Sequence, residues 1–335
     1  MAEKNNYLDI HRDCLVCDTH CDTIQRVLDS GIDLGVKSDK GHIDIPRLFE
    51  GGVDAQVFAC YIGRAGEPDG YYVKRALRMI DAFYSQLDKY PDKITPTLKA
   101  DEIKQNSDKD KISAILSIEG GHAIEDDLTL LRDFYRLGVR LMTITWNSTN
   151  WADASRQPEE HNGLTDFGRD VIREMNNLGM MVDVSHSSDK TTWDVLETSK
   201  HPIIASHSCA KSLSEHPRNL NDDLIREITR KDGLICINFY SLFLDVNYES
   251  NPESKPPSFR KIIDHIDHII NLGGVDCVGL GSDFDGMGPA PVGMEDVTKM
   301  PMITKELLER GYSVEDVKKI IGGNFIRLFG EVCGD

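Results

Sequence analysis

Short apolar runs rich in β-branched residues recur along the chain. They are CLVCD from Cys14, VDAQVFA from Val53, ISAILSIE from Ile112, RLMTIT from Arg140, MMVDVS from Met180, PIIASH from Pro202, LICINF from Leu234 and CVGLGSD from Cys277. They are nearly continuous rather than alternating, the pattern of strands buried on both faces. Between most of them the period changes to that of amphipathic helices with recognisable ends. TDFGRDVIREMNNLG carries a Thr165 cap and a Gly179 stop, SFRKIIDHIDHIINLGG has Ser258 ahead of an Ile stripe and Gly273 at its end, and SVED from Ser313 reads as a capping box. Eight strands alternating with helices predict parallel βα units that close into a (β/α)8 TIM barrel, with an open doubly wound sheet as the alternative. No Pro/Gly/Ser-rich linker interrupts the pattern, so residues 1–335 read as one domain, and the stretch from Gly63 to Asp110 leaves room for extra helices.

In such a barrel the chemistry sits at the C-terminal ends of the strands. Here the first run ends in Asp18, His20 and Asp22, the third in Glu119 followed by GGH, the fifth in His186, the sixth in His207 and the eighth in Asp283. Each alone has a plain explanation, as a hydrogen-bonded structural histidine or a turn-capping carboxylate. Together they would place several carboxylates in one dry mouth, where they repel unless a divalent cation neutralises them. Neutral imidazole and carboxylate are ligands that suit zinc. His20, Asp22, Glu119, His186 and His207 are one too many for a four-coordinate catalytic ion with an open position. They suffice for two ions only if one carboxylate bridges. Glu119 lies between the others in strand order, which predicts one Zn2+ on His20, Asp22 and Glu119 and a second on Glu119, His186 and His207, sharing a hydroxide. Asp283 is then free to take the water's proton and pass it to a leaving group.

Composition removes whole classes of function. A formal net charge of −18 over 335 residues argues against nucleic acid, which needs a positive surface. No run of about 18 apolar residues is present to cross a bilayer. The start MAEKNNYLDIHRD lacks the apolar stretch of a secretory leader, so a cytoplasmic setting is expected. The eight cysteines then read as thiols. Cys14 and Cys17 form a CxxC, but Leu15 and Val16 between them look like strand core, which would send the two thiols to opposite faces. Asp18 is expected to support a ligand from behind, and His122 is a weaker candidate for the pocket wall. Asp285 is expected to hydrogen-bond its own loop. His265 and His268, beside Asp264 and Asp267, imitate a metal face, yet the Ile stripe puts both on the watery side of their helix.

At this point the blocks DTHCD, EGGHAIEDDLTLLRDFYRLGVRLMTITWN, VDVSH, ASHSCAKSLSEHPRNL and GLGSDFDG together resemble the membrane (renal) dipeptidase family, and HIDIPRLFEGGVDAQVFACYI fits it as well. The likeness runs from Val16 to Phe329. It implies an amidohydrolase-like (β/α)8 barrel with two zinc ions, ligands at His20, Asp22, Glu119, His186 and His207, and an acid/base at Asp283. It further implies that Arg218 contacts the substrate carboxylate or the oxyanion and that Tyr240 lines the pocket. Trp146 is a departure, because mammalian members carry a substrate-touching histidine there. An indole N–H donates one hydrogen bond but carries no charge and accepts nothing, so substrate preference is expected to differ. The implied activity is hydrolysis of dipeptides, L-Xaa-D-Xaa included, by a soluble microbial-type member, with a homodimer suggested by the family. Deacylation of N-acyl amino acids is the runner-up, and a non-catalytic metal-binding barrel the third reading. Residues Trp151 to Gly163 have the length and polarity of a lid.

Overall fold

The computed structural model describes residues 6–63, 70–248 and 254–334. Each of the eight apolar runs carries a strand: β1 Cys17–Cys21, β2 Ala55–Tyr61, β4 Ile112–Glu119, β5 Val139–Thr143, β6 Met181–Asp183, β7 Ile204–Ser208, β8 Leu234–Ile237 and β9 Val278–Leu280. A short extra strand, β3 Ile94–Pro96, pairs with β4 outside the main series. All pairings are parallel in the order β1-β2-β4-β5-β6-β7-β8-β9. The ring closes between β9 and β1. Asp283 N donates to His20 O at 3.1 Å and Asp22 N donates to Phe284 O at 2.9 Å. The buried Asp18 carboxylate stitches the same seam, accepting from Ser282 N at 2.8 Å and Ser282 Oγ at 2.6 Å. That closure removes the open-sheet alternative.

Inward-facing positions near the strand starts, among them Cys17, Val57, Ile115, Leu141, Met181, Ile204 and Cys236, form one apolar cluster with Phe325, Leu328 and Phe329. The three aromatic and leucine side chains belong to the last helix, Asn324–Cys333, which plugs the barrel floor. Asn324 anchors it by donating to Val275 O at 2.7 Å and Val278 O at 2.9 Å. With the floor filled by hydrocarbon, polar chemistry is confined to the opposite mouth.

The helix ends follow their capping residues with one exception. Thr165 caps Asp166–Leu178 by accepting from Gly168 N, and Gly179 closes it in a left-handed conformation. Ser313 and Asp316 form the capping box. The helix expected to start at Ser258 instead spans Arg260–Gly273, with Phe259 at its N-cap and Gly274 past its end. The room after Gly63 is filled by the helices Tyr71–Lys89 and Ala100–Ser107 and by β3, while residues 64–69 lie outside the described ones. Cys14 precedes β1, where its thiol donates to Ile10 O at 2.9 Å, so it and Cys17 do not share a strand. Both are buried free thiols.

His265 corrects the expectation that both helix histidines face water. The segment after β7 and the short helix Ser241–Leu244 cover that side, and the ring is fully buried. His265 Nδ1 accepts from Ala210 N at 3.1 Å while Nε2–H donates to Leu244 O at 3.2 Å. His268 remains half-buried beside Asp222 Oδ1 at 2.8 Å. Burial pushes the His265 pKa down to about 4 from 6.5. Because the folded value lies below the unfolded one, the unfolded chain alone takes up this proton as pH falls from 6.5 towards 4. Stability is therefore complete above pH 6.5 and declines below it, by about 3 kcal/mol at most from this one group. Urea unfolding at pH 7 and pH 4.5 should show a smaller acid loss in His265→Gln than in the wild type. Equal losses would remove His265 from the acid response.

Candidate metal and active centre

At the strand C-termini the polar residues converge. His20 sits on β1 with Asp22 just past it, Glu119 ends β4, His186 follows β6, His207 lies on β7 and Asp283 follows β9. His186 and Asp283 hold left-handed backbone angles, φ 70° and 61°, which only a surrounding structure can enforce on residues bearing a Cβ. The loop after β9 is tight against β1: a Cβ on residue 286 would stand 1.8 Å from Asp22 Oδ2, so only glycine fits there.

Glu119 is the centre of this cluster, and its two oxygens face different partners. Oε1 lies 2.9 Å from His186 Nε2 and 3.6 Å from His207 Nε2, whereas Oε2 lies 3.7 Å from His20 Nε2. His20 Nε2 is in turn 3.5 Å from Asp22 Oδ2. The Nε2 atoms of His186 and His207 approach each other to 2.9 Å. Ligand atoms of His20, Glu119 and His207 form one compact triad, and those of His20, Asp22 and Asp283 a second.

The electrostatics show why these groups need a cation. Both ring nitrogens of His20 and Oδ1 of Asp22 are buried without a hydrogen-bond partner, a state that costs free energy when left uncompensated. Burial drives the Glu119 pKa well above its ordinary value, and the Asp22 charge adds to it. Burial likewise raises Asp283, to about 7, with Asp22 contributing and His20 opposing. Burial pushes His186 and His207 down. It also acts against a charge on His20, but Glu119, Asp22 and Asp283 outweigh it and lift that ring to about 10. Clustered carboxylates that resist ionising beside imidazoles with inward lone pairs are the donor set of a divalent metal site. The residues present therefore fit a bound metal.

Behind the cluster a relay sets one imidazole. The buried Asp183 carboxylate accepts from Ser206 Oγ at 2.6 Å, Thr143 Oγ1 at 2.6 Å, Ser206 N at 2.9 Å and Ser185 N at 2.9 Å. Since the Ser206 proton goes to Asp183, Ser206 Oγ accepts from His207 Nδ1 at 2.8 Å. That leaves the His207 Nε2 lone pair directed at Glu119 and His186. Ser206→Ala should leave the fold intact and weaken metal binding about 10- to 100-fold, read by competition with a chromophoric chelator. Unchanged metal affinity would refute the relay. Asp18, expected to support a ligand from behind, lies behind the cluster at the β1–β9 seam. Its oxygens hold Ser282 and, at 3.4 Å, the His20 backbone N–H.

Asp22, Glu119, His186, Arg218, Tyr240 and Asp283 line a cavity of about 190 Å³. Trp146 forms part of its wall, with its ring 5.0 Å from Tyr61 and 6.0 Å from His186. Arg218 is buried, donates Nη2–H to His207 O at 3.3 Å, and keeps its Nε without a partner. Burial lowers its pKa to about 10 against the charges of Asp283 and Glu119. Asn238 donates Nδ2–H to Asp283 Oδ2 at 2.8 Å and accepts from Tyr240 N at 2.6 Å, tying two wall residues together. His122 is not part of the wall. Its Nε2 is 3.1 Å from Gly63 O and its ring stands edge-on to Tyr72. Asp285 is engaged by Thr23, Arg26 and His42.

Residues 4–333 match the membrane dipeptidase family, peptidase family M19. The chain belongs to that family. It is a metallo-dipeptidase, a hydrolase. Over 301 residues it is 37% identical to Dipeptidase aclJ of Aspergillus oryzae, covering 87% of this chain and 70% of the relative. It is 34% identical over 299 residues to mouse (Mus musculus) Dipeptidase 3, covering 88% of this chain but only 58% of that protein. A solved family M19 metallopeptidase, dipeptidase AC, superposes with a TM-score of 0.88 at 29% identity, over 96% of this chain and 99% of the other. A Rhodobacter sphaeroides metallopeptidase, solved with a phosphinate mimic of L-Ala-D-Ala, superposes with a TM-score of 0.87 at 27% identity, over 95% and 99%. Among the described residues, no helix is long and apolar enough to cross a membrane.

The sequence reading missed Asp183, Ser206, Asn238 and Arg156. A carboxylate inside the apolar run MMVDVS was the signal for Asp183, since a buried aspartate must be engaged from several sides. Arg156 sits in the polar stretch whose length and polarity fit a lid. In that stretch Ser155 N donates to His186 O at 2.7 Å, and Asp153 accepts from Glu160 N at 2.8 Å and Gly163 N at 2.9 Å within the stretch itself.

Proposed function

We propose that this metallo-dipeptidase works with two zinc ions, one held by His20, Asp22 and Glu119 and the other by Glu119, His186 and His207, and that its substrates include L-Xaa-D-Xaa dipeptides. The observation that carries this reading is the division of Glu119, with one oxygen turned to His186 and His207 and the other to His20. When bound, such ions polarise the peptide carbonyl and lower the pKa of water.

The protein groups supply the rest. Asp283, raised towards neutrality and fixed through Oδ2 by Asn238, takes a proton from the attacking water and delivers it to the departing amine nitrogen. Arg218, buried in the cavity wall with its Nε unpartnered, holds the substrate carboxylate or the developing oxyanion as a preorganised cation. Tyr240 and Trp146 form walls that orient the two residues of the substrate. Support for a D-residue at the C-terminal side comes from the L-Ala-D-Ala mimic bound by the R. sphaeroides relative.

The test is product release, followed by mass spectrometry, from zinc-loaded enzyme given L-Xaa-L-Xaa, L-Xaa-D-Xaa and N-acyl amino acid substrates, each with a chelator control. Chelator-sensitive cleavage of free-amine dipeptides, D-containing ones included, is expected. Cleavage of the acylated compounds alone would move the activity to deacylation on the same residues.

A further inference from the structure

We infer that Arg156 makes the enzyme selective for dipeptides whose C-terminal residue carries a side-chain carboxylate. This rests on the reading above that Arg218 holds the substrate carboxylate. A simple dipeptide brings one fixed carboxylate to the site. The cavity wall, however, offers two guanidinium groups, Arg218 in the depth and Arg156 at the mouth.

Their situations differ. Arg218 is buried within the field of Asp283 and Glu119, which offset its charge. No carboxylate among the described residues forms an ion pair with Arg156, so its charge is uncompensated at the rim. Its position is nonetheless set. Ser155, the preceding residue, donates its N–H to His186 O at 2.7 Å, and Ala154 bridges to Ser187. On the other side, the Gln157 side chain accepts from Ser148 N. Arg156 thus projects from a segment bonded on one flank to the stretch that carries His186 and on the other to the loop after β5.

Both guanidinium charges act on the same two imidazoles, His186 and His216. Ser155 is bonded to His186 O and Arg218 to His207 O, and the two imidazoles meet at 2.9 Å, so both arginines belong to the His186–His207 side of the cavity. A substrate residue held there by Arg218 through its α-carboxylate has its side chain next to Arg156. A carboxylate on that side chain gains a charge-assisted hydrogen bond, whereas the isosteric amide gains at most a neutral one. At a partly solvated rim this difference amounts to about tenfold in kcat/KM, and salt weakens it.

The experiment compares zinc-loaded wild type with Arg156→Gln and Arg156→Lys on Ala-Asp, Ala-Asn, Ala-Glu and Ala-Gln, with the C-terminal residue in both configurations. Asp-Ala and Asn-Ala serve as the reversed pair. The expected wild-type result is an acid-over-amide ratio of kcat/KM near tenfold for the C-terminal pairs, carried mainly by KM and shrinking between low and high salt. In Arg156→Gln the ratio should collapse to about one, and Arg156→Lys should restore part of it. Equal wild-type turnover of acid and amide overturns this inference alone, as does a preference confined to the reversed pair or one that survives in Arg156→Gln. No cleavage of any free-amine dipeptide overturns it together with the dipeptidase chemistry beneath it.

Discussion

Glu119→Gln should leave a folded barrel that binds little metal and turns over at least about 10³-fold more slowly. Among the described residues the carboxylate is the one group whose two oxygens address both halves of the histidine cluster, at 2.9 Å and 3.7 Å from His186 and His20. An amide of the same shape offers one acceptor and one donor, and the donor would point its hydrogens at an imidazole lone pair. Losing the Lewis-acid contribution of even one ion removes several kcal/mol of transition-state stabilisation, and about 4 kcal/mol corresponds to the stated factor. Elemental analysis by plasma mass spectrometry, circular dichroism and kcat/KM on a free-amine dipeptide together decide it. A Glu119→Gln protein with full metal content and wild-type turnover would end the bridging role.

Asp283→Asn separates proton transfer from metal binding. Its side chain sits among the acids, buried, with Oδ2 already accepting from Asn238 at 2.8 Å. The variant cannot take a proton from water at neutral pH, so turnover should fall about 10²- to 10⁴-fold. Metal content should stay near that of the wild type, because Glu119 and the three histidines remain. Loss in kcat with little change in KM is the expected signature, since the group acts in the transition state rather than in substrate binding. Retained turnover would assign the proton to another group, and loss of bound metal would make Asp283 a ligand.

Much of this arrangement was legible from the chain alone, for a physical reason. Strands buried on both faces leave only their ends free for polar residues, so His20, Glu119, His186, His207 and Asp283 stood out against hydrocarbon. The positions that escaped notice act through space rather than along the chain. Ser206 looks like an ordinary small residue beside His207, and only its bond to Asp183, 23 residues away, gives it meaning. His265 was misplaced because helical periodicity sees one apolar stripe, while a second covering segment buries another flank. Arg156 lay in a polar stretch whose anchoring to His186 has no signature in residue type.

The Asp18–Ser282 seam has a consequence for how the molecule is made. The two residues are 264 positions apart, so during synthesis the first strand waits with an unpaired edge until the segment around Ser282 has been produced. Contacts of such sequence separation form late and slow the final step. The same seam brings His20 and Asp22 to Asp283, so an incomplete chain holds five of the polar residues but cannot assemble them with the sixth. The proton transfer proposed for Asp283 is thus available only once β9 has been made and docked against β1.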